Sequence, residues 1–242
     1  MMAATVRHLF TRNDAQLAVR LLVQGGDDMS YLEARLRDSG FDVILDDPRL
    51  LGALLETPQG SHASLPLFTY VVVRHALRRA GEEDRALADL LASIVVSFGA
   101  RSRAERVSET DDEIYTALAD LLRDVDGPDA RRAFLVRMHL GHYALWLSGM
   151  FPDHIEHRRW RRGGPDLDYY EAMGAQGYRL AADHRLAAEH GVAPLFVRAA
   201  ERFATLRMAL NDVSDRLLFP HGHSPERLMR QVRSTMGRRW ES

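Results

Sequence analysis

The chain has 242 residues, 46% of them hydrophobic, which is enough to build the core of one large domain or two small ones. It contains no cysteine and no lysine, which excludes disulfides, thiolate nucleophiles, cysteine-bound metals and lysine Schiff bases. The net charge of −2 gives no general attraction to nucleic acid or anionic membranes, so we expect nucleic acid to be an unlikely partner.

Helix start and stop signals recur along the first half of the chain, and strand signals are scarce. Ser30 and Glu33 form a capping-box pattern, and Asp47 precedes a proline at the first position of a helix. The triplet Val71–Val73 is the one place where a strand competes, but its segment is long and capped at both ends. The predicted helices occupy residues 30–40, 47–56, 64–80, 82–98 and 111–124.

The second half begins with a long apolar stretch, Ala133 to Phe151, that approaches membrane-spanning length. It contains Arg137, His139 and His142, which favours a buried core helix over a membrane span. The predicted helices of this half occupy residues 129–150, 153–161, 166–190, 192–218 and 224–238.

These patterns predict an all-α protein, a single-domain irregular bundle of about nine or ten helices spanning residues 1–242. The polar stretch 101–110 is the one candidate division. The first residues lack the continuous apolar stretch of a secretory signal, so we expect a soluble, cytoplasmic protein.

Two helices carry small residues at helical spacing. Glycine inside a helix costs about 0.5–1 kcal/mol relative to alanine, so two such stripes indicate a close approach of backbones. We expect these helices to contact each other through a structural seam formed by Gly141, Ala144, Ser148, Gly174, Gly177 and Ala181. The alternative is room for a flat ligand, whose candidate binding residues are His139, His142, Trp146, Tyr170 and Tyr178.

The same helices carry a family resemblance. The segments LGHYALWLSGMFP (140–152) and LDYYEAMGAQGY (167–178) resemble the paired signature GDxSLFxxGxF and DYYxxMGxxxY of an uncharacterised family of all-helical bacterial proteins. This chain departs from that pattern at His142, where the family has an acid, and at Trp146, where it has phenylalanine. The resemblance implies an all-helical fold and carries no activity with it.

Histidine is the first candidate for chemistry. His154 and His157 are one helical turn apart, as are His139 and His142, so either pair could share a metal with a nearby carboxylate. The competing interpretation is that His154 and His157 are exposed and that His139 and His142 lie in the core. Neither His-Glu-x-x-His nor the Glu-x-x-His pairs of di-iron bundles occurs, so we predict no cofactor and keep metal binding as an alternative.

Arginine next to tryptophan is the second candidate. Arg158, Arg159, Trp160, Arg161 and Arg162 form a basic stretch that could bind an anion or stack on bases. The competing interpretation is a solvated arginine face that pairs with the acid-rich region 109–129, within the chain or between subunits. The last predicted helix, 224–238, is also rich in arginine and has an amphipathic pattern.

No nucleophile elbow, catalytic dyad or phosphate-binding loop is present, so an enzyme is not the favoured class. The leading hypothesis is a non-catalytic scaffold or interaction protein that self-associates as a homodimer or binds a protein partner. The first alternative is an enzyme or sensor that binds a metal or small ligand near the seam. The second is a nucleic-acid accessory protein that uses Arg158–Arg162.

Overall fold

The computed structural model describes residues 5–24, 28–99, 104–108, 113–115 and 117–218. All regular structure in these residues is helical, and none of them lies in a strand. The chain divides into two compact units, residues 1–104 with 108–110, and residues 105–107 with 111–242. The boundary overlaps the polar stretch that the sequence offers as a division, and a single domain stays a prediction.

The first unit contains six described α-helices and two 3-10 turns, at Val6–Leu9 and Pro58–His62. The α-helices are α1 (Arg12–Gln24), α2 (Met29–Ser39), α3 (Asp42–Leu45), α4 (Pro48–Glu56), α5 (Leu65–Arg79) and α6 (Arg85–Phe98). Helix α5 packs on α6 and is buried without interruption from Thr69 to Leu77. Val71–Val73 therefore lie inside a helix, as the capping signals predict.

The second unit contains seven described α-helices, and its described part ends in a π-helical turn, Ser214–Leu218. They are α7 (Leu118–Asp124), α8 (Ala130–Met150), α9 (Pro152–Arg162), α10 (Leu167–Ala182), α11 (Arg185–Glu189), α12 (Ala193–Glu201) and α13 (Phe203–Val213). Helix α8 lies at the centre and packs against α7, α10 and α13. None of the described helices combines the length and apolar character needed to cross a membrane.

The structure corrects the predicted start of α7. The sequence predicts a helix from residue 111, but Glu113 is not helical and the helix begins at Leu118. The carboxylate of Glu113 instead accepts hydrogen bonds from Tyr115 Oη and Arg132 Nη2, each at 2.7 Å. Glu113 thus binds other side chains and does not stabilise the N-terminus of a helix.

Further helix boundaries also differ from the predictions. Asp28, not Ser30, caps α2, because its carboxylate accepts from the backbone N–H groups of Ser30 and Tyr31. The predicted helix 166–190 is broken at His184, whose extended backbone and ring Nδ1 cap the separate helix α11. The predicted helix 192–218 is broken at Arg202, between α12 and α13. The predicted helix 224–238 lies outside the described residues.

Candidate functional site

The small-residue seam lies where α8 and α10 pack against each other. A methyl group added at Gly177 would stand 2.8 Å from the backbone N of Gly141 and 3.0 Å from the carbonyl oxygen of Arg137. The backbones therefore meet directly, with no side chain between them. This geometry requires glycine on α10 because any Cβ would push the helices apart.

Aromatic rings of the chain itself fill the space beside the other glycines. A methyl group at Gly141 would stand 2.6 Å from the ring of Tyr178. One at Gly174 would stand 2.2 Å from the ring of Phe203 and 2.8 Å from the Cβ of Ala144. The rings of Tyr178 and Phe203 pack on each other with their centroids 6.0 Å apart. A flat ligand has no room beside these glycines in this arrangement.

The remaining small residues serve the same packing. Ala181 is fully buried on α10. Ser148 is also fully buried, and its hydroxyl donates to the carbonyl of Ala144 in its own helix. The backbone carbonyl of Ser148 accepts a hydrogen bond of 2.9 Å from the side-chain amide of Asn211 on α13. The end of the seam is therefore shared with a third helix.

Asn211 belongs to a polar group at the end of α8 that sequence reasoning missed. Its amide also donates to the carbonyl of Gly149 at 2.7 Å, and Ser214 Oγ donates to the carbonyl of Met150 at 2.8 Å. These are carbonyls of the last helical turn, which lack partners within a helix. Arg207 donates to Asn211 Oδ1 at 2.7 Å and fixes the orientation of the amide.

The candidate ligand residues are distributed through the core of the second unit. His139 is 2% exposed, and its ring stacks on Tyr143 with centroids 5.9 Å apart. His142 meets the edge of Tyr178, whereas Trp146 contacts Phe151 instead. Burial raises the pKa of the Tyr178 hydroxyl well above its usual value, and the same cause raises that of Tyr143 to about 12.

Tyr170 is also buried, and its burial raises the pKa of its hydroxyl. Because these hydroxyls stay protonated at neutral pH, they supply donors and not phenolate bases. The side chains of His139, His142, Tyr170 and Tyr178 are therefore buried parts of a packed core.

His154 and His157 are exposed on α9. Across the part of the chain that the structure describes, no three His, Cys, Asp or Glu side chains converge as a metal site would require. Metal binding by these histidines stays an alternative without geometric support.

Helix α9 presents what we call the arginine–tryptophan surface, formed by Arg158, Arg159, Trp160, Arg161 and Arg162. All five residues are exposed, and Trp160 is 77% exposed, the most of any large hydrophobic side chain in the described residues. Arg159 lies 3.9 Å from a carboxylate oxygen of Asp166. Within the described ranges, the other three arginines have no carboxylate within 4.0 Å.

The local sequence explains where α9 begins and ends and which of its turns is buried. Pro152 starts the helix at a position that needs no N–H donor, and Gly163 ends it in the left-handed conformation, with φ of 63°. Pro152 and Ile155 are buried and anchor the first turn. The arginines occupy the last turns, where positive charge is favourable at a helix C-terminus.

The described acids of region 109–129 do not pair with this surface. Among its described carboxylates, Glu113 pairs with Arg132 at 2.7 Å and Asp126 pairs with Arg137 at 2.8 Å. Asp120 pairs with Arg123 within α7. The described acids of the region thus pair with other arginines, except Asp129, which caps α8 by accepting from the backbone N–H groups of Arg131 and Arg132.

A groove in the second unit, which we call the α10–α13 groove, lies between α10 and the segment where α12 meets α13. Its volume is about 660 Å³, and its lining includes Phe203 and several alanines. Its lining also includes three acids, Asp168, Glu171 and Glu201, and one basic residue, Arg179. Its lining does not include the candidate ligand residues His139, His142, Tyr170 and Tyr178.

The first unit contains a buried charge network around Arg74, which is 2% exposed. Its Nε donates to Asp46 at 2.7 Å and one Nη donates to Glu83 at 2.9 Å, while Arg85 also donates to Asp46 at 2.6 Å. Burial opposes ionisation of Asp46, but the bonds from Arg74 and Arg85 outweigh it and lower the pKa of that carboxyl. The signal in the sequence is an arginine on the buried face of an otherwise apolar helix.

The first unit also has a depression, about 360 Å³ in volume. It is lined by Arg7, Phe10, Phe41 and Asp89, with Thr5 and His8. Burial raises the pKa of Asp89, although its Oδ1 accepts a hydrogen bond of 3.1 Å from the backbone N–H of Arg7. The carboxylate in this depression already accepts a hydrogen bond from a backbone donor, and we assign no chemistry to the depression.

Comparison of the chain with protein-family models, with curated proteins and with solved structures found no match. The family resemblance of the paired segments therefore stays a prediction, and function has to be argued from the site alone.

Proposed function

We propose that this protein is a non-catalytic helical interaction protein that binds an acidic protein segment through the arginine–tryptophan surface of α9. The observation that carries the proposal is the exposure of Trp160 among arginines of which only Arg159 has a carboxylate within 4.0 Å in the described residues. Tryptophan and arginine are the side chains most enriched where a few residues dominate the affinity of an interface.

The chemistry of the surface favours a carboxylate-bearing partner with an apolar side chain. A guanidinium group binds a carboxylate through two parallel hydrogen bonds, and the indole of Trp160 offers a flat apolar contact. The described acids of region 109–129 already pair with other arginines or, in the case of Asp129, cap α8, which supports a separate partner over an internal one. Self-association as a homodimer stays a separate prediction that molecular mass in solution would test.

The small-ligand alternative has less support. The rings of Tyr178 and Phe203 occupy the space beside the seam glycines, so binding there would need the core to open. A nucleic-acid partner would use the same arginines, and the experiment below separates it from an acidic peptide.

The test measures binding of fluorescent acidic peptides that carry a central apolar residue, by anisotropy at low and physiological ionic strength. We expect Trp160→Ala to weaken binding about 30-fold, the effect of losing one dominant interface residue. Reversing Arg158, Arg161 and Arg162 to glutamate should abolish it.

The matched control reverses three exposed arginines of the first unit, Arg12, Arg20 and Arg37, and so changes the net charge equally. It should bind as the unchanged protein does. No peptide binding at low ionic strength, or an equal loss in the control, would contradict the proposal. Tighter binding of an oligonucleotide of matched charge, with competition by the peptide, would assign the surface to nucleic acid instead.

A further inference from the structure

The α10–α13 groove has unpaired negative charge beside apolar surface. Asp168 and Glu201 are exposed, and no arginine or histidine of the described ranges lies within 4.0 Å of either carboxylate. Glu171 differs, because Arg207 pairs with it. A partner for this groove should therefore bring positive charge to two positions on its rim.

The apolar surface continues beyond the groove along both flanking helices. Met208 is 43% exposed and lies one helical turn beyond Ala204, which lines the groove on α13. Val197 is 44% exposed and lies one turn before Glu201 on α12. Together these residues form an exposed apolar face with an acidic rim, which suits an amphipathic basic helix.

The chain carries such a segment directly after the described residues. The described part ends at Leu218, and the sequence continues to Ser242. The predicted helix 224–238 has a stripe formed by Leu228, Met229, Val232 and Met236. From residue 219 onward the chain has five arginines and two glutamates, so its charge is opposite to that of the groove.

The lengths allow the segment to reach the groove. Val213 lies nine positions after Ala204 on α13, a helical distance of about 14 Å. Residues 219–223 include Pro220 and Gly222 and can span up to about 17 Å, and a helix over 224–238 would be about 22 Å long. A turn after Leu218 followed by a helix antiparallel to α13 thus covers the distance.

We propose that the α10–α13 groove is the docking site of the chain's own C-terminal segment, residues 224–238. The stripe of Leu228, Met229, Val232 and Met236 lies on the apolar face, and its arginines pair with Asp168 and Glu201. This intramolecular contact is independent of the arginine–tryptophan surface, which lies on α9.

Because the chain has no cysteine, disulfide formation between two introduced cysteines tests the contact in the 242-residue chain. Ala204→Cys is combined with Val232→Cys, on the apolar stripe. One control combines Ala204→Cys with Ser234→Cys, on the opposite face of the predicted helix. The other combines Val232→Cys with Ala188→Cys, an exposed position on α11 outside the groove.

At low protein concentration and under mild oxidation, the first pair should form an intramolecular disulfide at least about tenfold faster than either control, because docking raises the local concentration. Glu201→Arg should slow the reaction, and adding Arg230→Glu and Arg233→Glu should restore it. Equal rates in all three pairs would overturn the proposal. Crosslinked dimers in place of monomers would assign the groove to a second copy instead.

Discussion

Replacing Gly174 with alanine tests the close contact between α10 and its neighbours. The new methyl group would stand 2.2 Å from the ring of Phe203 and 2.8 Å from the Cβ of Ala144. Carbon atoms in contact normally lie about 3.5–4.0 Å apart, so the ring has to move by more than about 1 Å. Phe203 is 2% exposed and packed on Tyr178, which leaves it no free volume to enter.

Two effects of opposite sign decide the outcome. Alanine improves helix propensity by about 1 kcal/mol, whereas overpacking a filled core costs about 1–3 kcal/mol, and this clash belongs at the upper end. We therefore expect Gly174→Ala to lower the free energy of unfolding by about 2 kcal/mol. A helix without the contact would instead be stabilised by the same substitution.

Denaturant unfolding followed by tryptophan fluorescence measures this effect, because all three tryptophans lie in the second unit. Ala172→Gly, at an exposed position of the same helix, serves as control and should cost only about 1 kcal/mol. Combining Gly174→Ala with Phe203→Leu should reduce its cost, because the ring is removed. An increase in stability on Gly174→Ala alone would refute the packing at the seam.

Three further substitutions probe the buried polar groups. Asn211→Ala leaves two carbonyls of α8 without a donor and should cost about 2–4 kcal/mol in the same fluorescence assay. Asp46→Asn leaves Glu83 as the carboxylate partner of the buried Arg74 guanidinium and should cost about 3 kcal/mol by circular dichroism. Since the folded pKa of Asp46 is lowered, its stabilising effect is present above pH about 4 and is lost as pH falls further, so the variant should show a flatter acid limb. Burial lowers the pKa of His184, so stability should fall as pH drops below about 6.5, and His184→Asn, which keeps a capping acceptor, should remove that fall.

Many helix positions could be predicted because their signals are local, but the sequence analysis predicts no helix at α1 or α3. Asp47 with Pro48 and Ser64 cap the helices α4 and α5, where the sequence predicts their starts. The break at His184 was missed, because its cap comes from an imidazole nitrogen, which sequence rules do not count among the usual caps. The glycines of α8 and α10 pointed to close backbones because only a missing Cβ permits such an approach.

The polar groups were less predictable because they depend on residues far apart in the chain. Asp46 reaches Arg74 across 28 positions, and Asn211 reaches Ser148 across 63. No spacing rule connects such pairs. The composition of the arginine–tryptophan surface was visible in the sequence, whereas its exposure and the pairing of Glu113 with Arg132 depend on the tertiary structure.

The hydrogen bonds of Asn211 and Ser214 to the end of α8 have a consequence for local opening. The last turn of a helix normally frays, so its amide protons exchange with solvent faster than those of the interior. Here side chains of the following elements hold the carbonyls of residues 148–150. Amide exchange at this end of α8 should therefore be as slow as at its middle, and opening it should require α13 to detach at the same time.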